Sequence, residues 1–320
     1  MTKTIFRFAV AVLAAAALMT VSTGAQQGQG GAGRAGGAPA AAPAQPDFSQ
    51  VQIKTTKLTN NFYTLEGQGG TIGALVGPDG VFLVDSQFAP LTDKIVAAVK
   101  QISDGRIRFL VNTHVHGDHT GGNENFGKLG VVILSRPQLR ARLMKPSPAA
   151  NGTTPPSAPA AALPVVTYDA PVTVTMNGEE IRLIPVPAAH TDGDTMVRLQ
   201  TADVIMTGDF YRSIQYPNID RVNGGSLNGM LDGLKAVVDL AGPNTKVIPG
   251  HGPIVDKAAV NAHRDMIIAL RDKVEGLVRQ GKTQEEVVAS KPTADFDAKV
   301  STPGTTGDRF IGQLYAELKK

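Results

Sequence analysis

His114, His116, Asp118 and His119 stand in one short segment, His-Val-His-Gly-Asp-His, directly after an apolar run at 107–111. Half of the six histidines of the chain fall in that segment, and the chain has no cysteine. Imidazole nitrogen and carboxylate oxygen are the donors that a zinc ion takes where thiolates are lacking. At a strand end, His114 and His116 share a side-chain direction because the strand period is two. Asp118 and His119 follow in what reads as a turn, where Gly117 relaxes the backbone enough for both to reach a neighbouring point. One segment can therefore feed two adjacent cations.

A site of that kind needs further donors at strand ends. His190 closes the run at 181–189 and opens His-Thr-Asp-Gly-Asp-Thr; Asp209 ends Val-Ile-Met-Thr-Gly-Asp; His251 ends Lys-Val-Ile-Pro-Gly-His. Each stands where a β-run gives way to a loop. The sixth histidine, His263, lies inside a helical pattern and reads as structural. Asp85, at the end of Val-Phe-Leu-Val-Asp, is either an acceptor that fixes an imidazole tautomer or a turn acid before Ser86. Thr113 and Thr191, each next to a ligand-type histidine, could act as Asp85 would.

The His-x-His-x-Asp-His segment, the later His, the Gly-Asp and the Gly-His-Gly stand in the order found in the metallo-β-lactamase fold superfamily, which residues 51–269 resemble. Carried over by position, the resemblance implies that His114, His116 and His190 hold a first zinc ion. Asp118, His119 and His251 would hold a second, with Asp209 bridging the two. Having both His119 and Asp209 resembles the hydroxyacylglutathione hydrolase and lactonase branches, whereas true β-lactamases usually depart from that set. Arg212, three positions beyond Asp209, resembles by spacing the substrate-binding Lys of those β-lactamases that carry Cys at the Asp209 position. Arg212, with its neighbour Tyr211, is the candidate for binding substrate, since a guanidinium grips a carboxylate through two parallel hydrogen bonds.

Two zinc ions about 3.5–4 Å apart share a water and bring its pKa to around 7. The expected reaction is attack of that hydroxide on a carbonyl carbon, with Asp118 and Asp209 as the catalytic acids that lower the charge of the cluster and relay a proton. The expected function is an exported zinc-dependent hydrolase of a β-lactam-like cyclic amide or a lactone. The alternatives are a thioester hydrolase of the hydroxyacylglutathione hydrolase type and a non-enzymatic metal-binding accessory protein.

The elements around these residues set the class. Of 320 residues, 42% are hydrophobic, and 31 basic against 28 acidic side chains leave a charge of +3, too small to argue for nucleic acid. Residues 1–25 read as a cleavable signal peptide: Lys3 and Arg7, an apolar stretch at 8–21 too short for a comfortable membrane span, then small residues at 23–25. A periplasmic or secreted protein without stable membrane insertion is expected, acting on a small molecule. Residues 26–47 read as a disordered Gly/Ala/Pro-rich linker, 48–282 as the hydrolase domain and 283–320 as a helical extension.

Strand-type runs fall at 51–58, 62–67, 72–76, 81–84, 107–113, 131–134, 172–176, 181–186, 195–200, 204–206 and 246–248. Helical patterns cover 90–102, 137–144, 226–240 and 256–280. The pattern supports an α/β or α+β chain, and the resemblance implies a four-layer αββα sandwich with the metal site at one edge. The Pro/Ala/Ser/Gly stretch at 145–164 is either a lid over that edge or a solvated insertion. In the tail, a capping-box pattern starts at Thr283, and a helical run at 308–318 offers Phe310, Leu314 and Leu318 to this domain or to a partner subunit.

Overall fold

The computed structural model describes residues 47–148, 152–300 and 305–319. The signal-peptide reading of 1–25 and the linker reading of 26–47, apart from Asp47 itself, lie outside these residues. The first sheet comprises β1 (Lys54–Lys57), β2 (Phe62–Glu66), β3 (Ile72–Leu75), β4 (Val81–Val84), β5 (Ile107–Val111), β6 (Val132–Ser135) and β7 (Val166–Thr167), side by side in that order. Its pairs are antiparallel as far as β4 and parallel from there on. The second sheet holds β8 (Val172–Met176), β9 (Glu179–Pro185), β10 (Thr195–Leu199), β11 (Val204–Gly208) and β12 (Lys246–Pro249), antiparallel except for the β11–β12 pair.

The central strands read as unbroken apolar runs because both of their faces are buried. In β4, Phe82 and Val84 face the second sheet, whereas Val81 and Leu83 face the other way. Leu110 and Val111 in β5, and Ile133 and Leu134 in β6, divide in the same fashion. Outside the first sheet, α1 (Thr92–Lys100) brings Ile95 and Val99; α2 (Gly117–Thr120) follows β5, and α3 (Asn123–Lys128) adds Phe126. The helix α4 (Pro137–Met144) follows β6. Outside the second sheet lie α5 (Leu227–Leu240), α6 (Lys257–Arg279), α7 (Gln284–Ala289) and α8 (Gly307–Leu318), which cover Val186, Met196, Ile205 and Val247. Two sheets between two helical layers make the αββα sandwich.

The helices begin where their caps stand. Ser226, Asp256 and Thr306 accept from the backbone N–H of Gly229, Ala259 and Arg309, and the Thr283–Glu286 capping box is formed from both sides. Two elements carry little sequence signal: α3 buries a single large apolar side chain, Phe126, and β7 is two exposed residues. The segment at 117–120 is a helical turn and not the loose turn expected, with His116 as its N-cap residue. The tail packs on this domain: Phe310, Ile311, Leu314 and Tyr315 join the core of α5 and α6, and Leu318 packs against it.

Phe310 is fully buried and its ring stacks 6.1 Å from that of Tyr216. Phe310→Ala should therefore cost about 3–5 kcal/mol in denaturant unfolding. A loss of a few tenths would mean that α8 is an appendage.

Candidate metal centre

The strands end in ligand-type side chains at one edge, where a hydrogen bond joins the sheets: Thr195 N donates to Thr113 O at 2.8 Å. His114, His116, His190 and Asp209 bring one ligand atom each to within 4.8 Å of one another, and Asp118, His119 and His251 do the same beside them. Asp209 joins the groups. Its Oδ2 lies 4.0 Å from His114 Nε2, 3.9 Å from His190 Nε2 and 3.4 Å from His251 Nε2, while Oδ1 is 3.3 Å from His119 Nε2. Asp118 Oδ2 stands 3.0 Å from His251 Nε2 and 3.6 Å from His119 Nε2.

Local backbone chemistry aims these groups. The β11–β12 register shifts between Met206 and Gly208, a bulge that ends pairing just before Asp209. Gly208 sits at φ +56, in the region that glycine adopts without a Cβ penalty. Gly250 passes so close to Asp209 that a Cβ there would overlap Oδ1. Asp118 and His119 are set by the short helix α2.

A second ring of groups turns each imidazole. His119 Nδ1 donates to Asp85 Oδ2 at 2.8 Å, and the same carboxylate accepts from Thr113 N and Thr113 Oγ1, each at 2.7 Å. These three bonds hold Asp85 at φ 67, a strained value for a non-glycine residue. His114 Nδ1 faces Thr113 Oγ1 at 3.1 Å. His116 Nε2 donates to Asp220 Oδ2 at 2.7 Å, and His190 Nδ1 donates to Asn218 O at 2.6 Å. Asn218 is held by Gln313 of α8, which donates to Asn218 Oδ1 at 2.9 Å and accepts from Ile219 N at 3.1 Å. Thr191 does not touch an imidazole; with His190 N it is tied to the buried Asp194.

With their other nitrogens bonded outward to Asp220 and Asn218 O, His116 Nδ1 and His190 Nε2 turn toward each other at 2.9 Å. His114 Nε2, His119 Nε2 and Asp209 Oδ1 are buried with no hydrogen-bond partner. Each such atom costs roughly 1–3 kcal/mol if nothing meets it. A nitrogen and carboxylate donor set of this kind fits divalent cations.

The ionisation pattern divides the imidazoles: His114 and His190 are lowered, whereas His119 and His251 are raised by their carboxylate neighbours. Burial, and then the charge of His119, pushes His114 well below the ordinary imidazole value, and burial with His116 takes His190 down to about 4. Both rings are neutral at neutral pH, the form that ligates. Burial opposes charge on His119, but Asp85 and Asp209 outweigh it and raise that ring well above its usual value. Burial likewise opposes ionisation of Asp118, and the hydrogen bond from His251 prevails, bringing the carboxyl to about 2.

The structure thus gathers His114, His116, Asp118, His119, His190, Asp209 and His251, with Asp85 behind them. Arg212 stands beside them, its side chain 14% exposed, its Nε 3.7 Å from Asp209 Oδ2 and without a hydrogen-bond partner. Tyr211, the other half of the expected substrate pair, is turned into the protein. It is 3% exposed and its ring meets His263 edge-on at 5.0 Å, where both line an apolar cavity of about 290 Å³ behind the metal centre's loop. His263 belongs to neither donor group. In the 145–164 stretch, Ala158 N bonds Leu143 O and Ala162 O accepts from Asn123, which fixes that part on α3 and α4. Asp220, Asp194, Asn218 and Gln313 are the supporting residues that sequence reasoning missed.

Residues 66–253 match the model of the metallo-beta-lactamase superfamily. The chain belongs to that superfamily. Among its relatives, the beta-lactamase-like protein 2 homolog of Caenorhabditis elegans is 24% identical over 235 residues, covering 72% of this chain and 71% of that protein. The fold is similar to the metallo-beta-lactamase from Pontibacter korlensis, at TM-score 0.54 and 18% identity over 68% of this chain and 99% of that one. It is also similar to the stereoselective inverting sec-alkylsulfatase from Pseudomonas sp., at TM-score 0.61 and 16% identity over 82% of this chain and 50% of the sulfatase.

Two predictions follow from these contacts. Asp220→Ala frees the His116 ring and should weaken metal affinity about 10–100-fold in a chelator competition, although Asp220 is no ligand. Burial holds His263 at about 4 against an ordinary 6.5, so the unfolded chain binds more protons between those values. That part of the stability is complete above 6.5 and is lost as pH falls towards 4. His263→Gln should flatten the acid side of a denaturation series and leave metal stoichiometry unchanged.

Proposed function

We propose that this protein is an exported zinc-dependent hydrolase that cleaves a carbonyl-centred bond in a cyclic amide or lactone. The observation that carries the reading is Asp209, whose carboxylate lies within 4.0 Å of imidazoles from both donor groups in a centre with unpartnered buried nitrogens. His114, His116 and His190 would hold one zinc ion, and Asp118, His119 and His251 the other, with Asp209 between. When bound, the pair supplies Lewis acidity and a water that ionises near neutral pH.

The chain's own residues do the rest. Asp118 has the more exposed of the two cluster carboxylates, 22% against 6% for Asp209, so its Oδ2 is the one that can pass a proton to a leaving group. Asp209, enclosed by imidazoles, holds its position. Arg212 offers a guanidinium to a substrate carboxylate at the wall of the site. The packed layers around His114, His119 and His190 keep bulk water from all but the open edge. The export reading rests on the basic and then apolar start of the sequence; among the described residues no helix is long and apolar enough to cross a membrane.

The purified protein should turn over a chromogenic cephalosporin or a homoserine lactone and lose that activity to a chelator. A thioester and a secondary alkyl sulfate belong in the same panel, and preference for either would replace the proposed substrate class. Asp209→Ala should lower both metal content and rate by orders of magnitude. Arg212→Ala should raise KM for carboxylate-bearing substrates more than for neutral lactones at nearly constant kcat, the pattern of lost uniform binding. Equal effects on both would remove Arg212 from the site.

A further inference from the structure

Arg142, in α4, touches none of the seven donors, yet its guanidinium ties together the two loops that carry and orient the first group. Nε and Nη2 grip the carboxylate of Asp192 at 2.7 and 2.6 Å, two residues beyond His190. Nη1 reaches Val222 O and Asn223 Oδ1, each at 3.3 Å, and Ser147 Oγ at 3.1 Å. Asn223 then donates from its side chain to Asp220 Oδ2 at 2.6 Å and from its backbone to Oδ1 at 3.2 Å. That carboxylate is the one that accepts from His116.

Backbone bonds close the circuit. Asp192 N donates to Asn223 O at 2.9 Å, and Asp220 N donates to His190 O at 3.0 Å. The arginine is thus one step from His190 through Asp192, and two steps from His116 through Asn223 and Asp220. Its side chain is 20% exposed and that of Asp192 29%, and the pair is bidentate, so it differs from the solvated ion pairs that contribute nothing measurable. The other donor group is held by different means: α2 for Asp118 and His119, Asp85 behind His119, and the Gly250 N to Gly208 O bond next to His251. None of those contacts involves Arg142.

We infer that Arg142 is a positioning residue that sets the cation affinity of the His114, His116 and His190 group selectively, an inference that rests on the metal reading above. A lysine could not replace it, because a single ammonium cannot serve Asp192 and the 222–223 loop with fixed fork geometry.

The test is a chelator-competition titration of the full chain with cobalt, followed by the visible absorption of the bound ion. The wild type should take up two equivalents. Arg142→Ala and Arg142→Lys should each weaken one equivalent by about tenfold, alter its absorption band and leave the other equivalent unchanged. Asp192→Asn, which keeps the shape and removes the charge, should do the same, and combining it with Arg142→Ala should add little. Arg136→Ala serves as the control for a merely structural effect. Arg136 bonds Asp169 and Val186 O, so its loss should lower stability without touching either affinity. Unchanged affinities in Arg142→Ala, equal weakening of both equivalents, or the same loss in Arg136→Ala would overturn the inference while the metal reading stood. A wild type that binds no metal would end both.

Discussion

Asp209 keeps a negative charge in a place where burial alone would remove it, because His119, His251 and His114 surround it closely enough to pull its carboxyl well below the usual range. The dependence is mutual, since Asp209, with Asp85 and Asp118, raises His119 and His251 above the ordinary imidazole value against the opposing effect of burial. Everything near the edge of the sandwich serves that balance. A bulge at Gly208 stops β11 at the right residue, and Gly250 leaves room for the carboxylate. The Thr195 to Thr113 bond keeps the two sheets from opening beneath it.

Around this centre the chain spends its buried acids as fixed supports. Asp85 steadies His119 and the end of β5, Asp220 steadies His116, and Asp194 gathers the backbone of His190 and Thr191. Burial drives Asp194 up to about 7 despite its hydrogen bonds from Thr191 and His190, so it holds its loop in a setting that disfavours its charge. The rigid layers behind supply the precision. Side chains alternate strictly between the inner core and the two outer ones, and a one-residue slip in β5 or β11 would turn a donor away from the edge.

The donors were legible because metal chemistry demands rare residue types at constrained places, and a histidine at the end of an apolar run stands out. The strands were legible for a related reason: β4 and β8 fall at 81–84 and 172–176, where apolar or β-branched runs end in turn residues. The supports were not, because Asp220 and Gln313 are ordinary polar residues whose partners lie far along the chain. The setting of Tyr211 was not legible either, because its burial and its contact with His263 depend on the distant helix α6. The short helix α2 was hidden by Gly117, which reads as a breaker and stands at its first position.

Helix α8 lies well beyond the last donor, His251, yet its Gln313 fastens the loop from which Asn218 receives the His190 proton. A donor in the middle of the chain is thus braced from near its far end: a chain lacking α8 would keep all seven donors and lose the support behind His190.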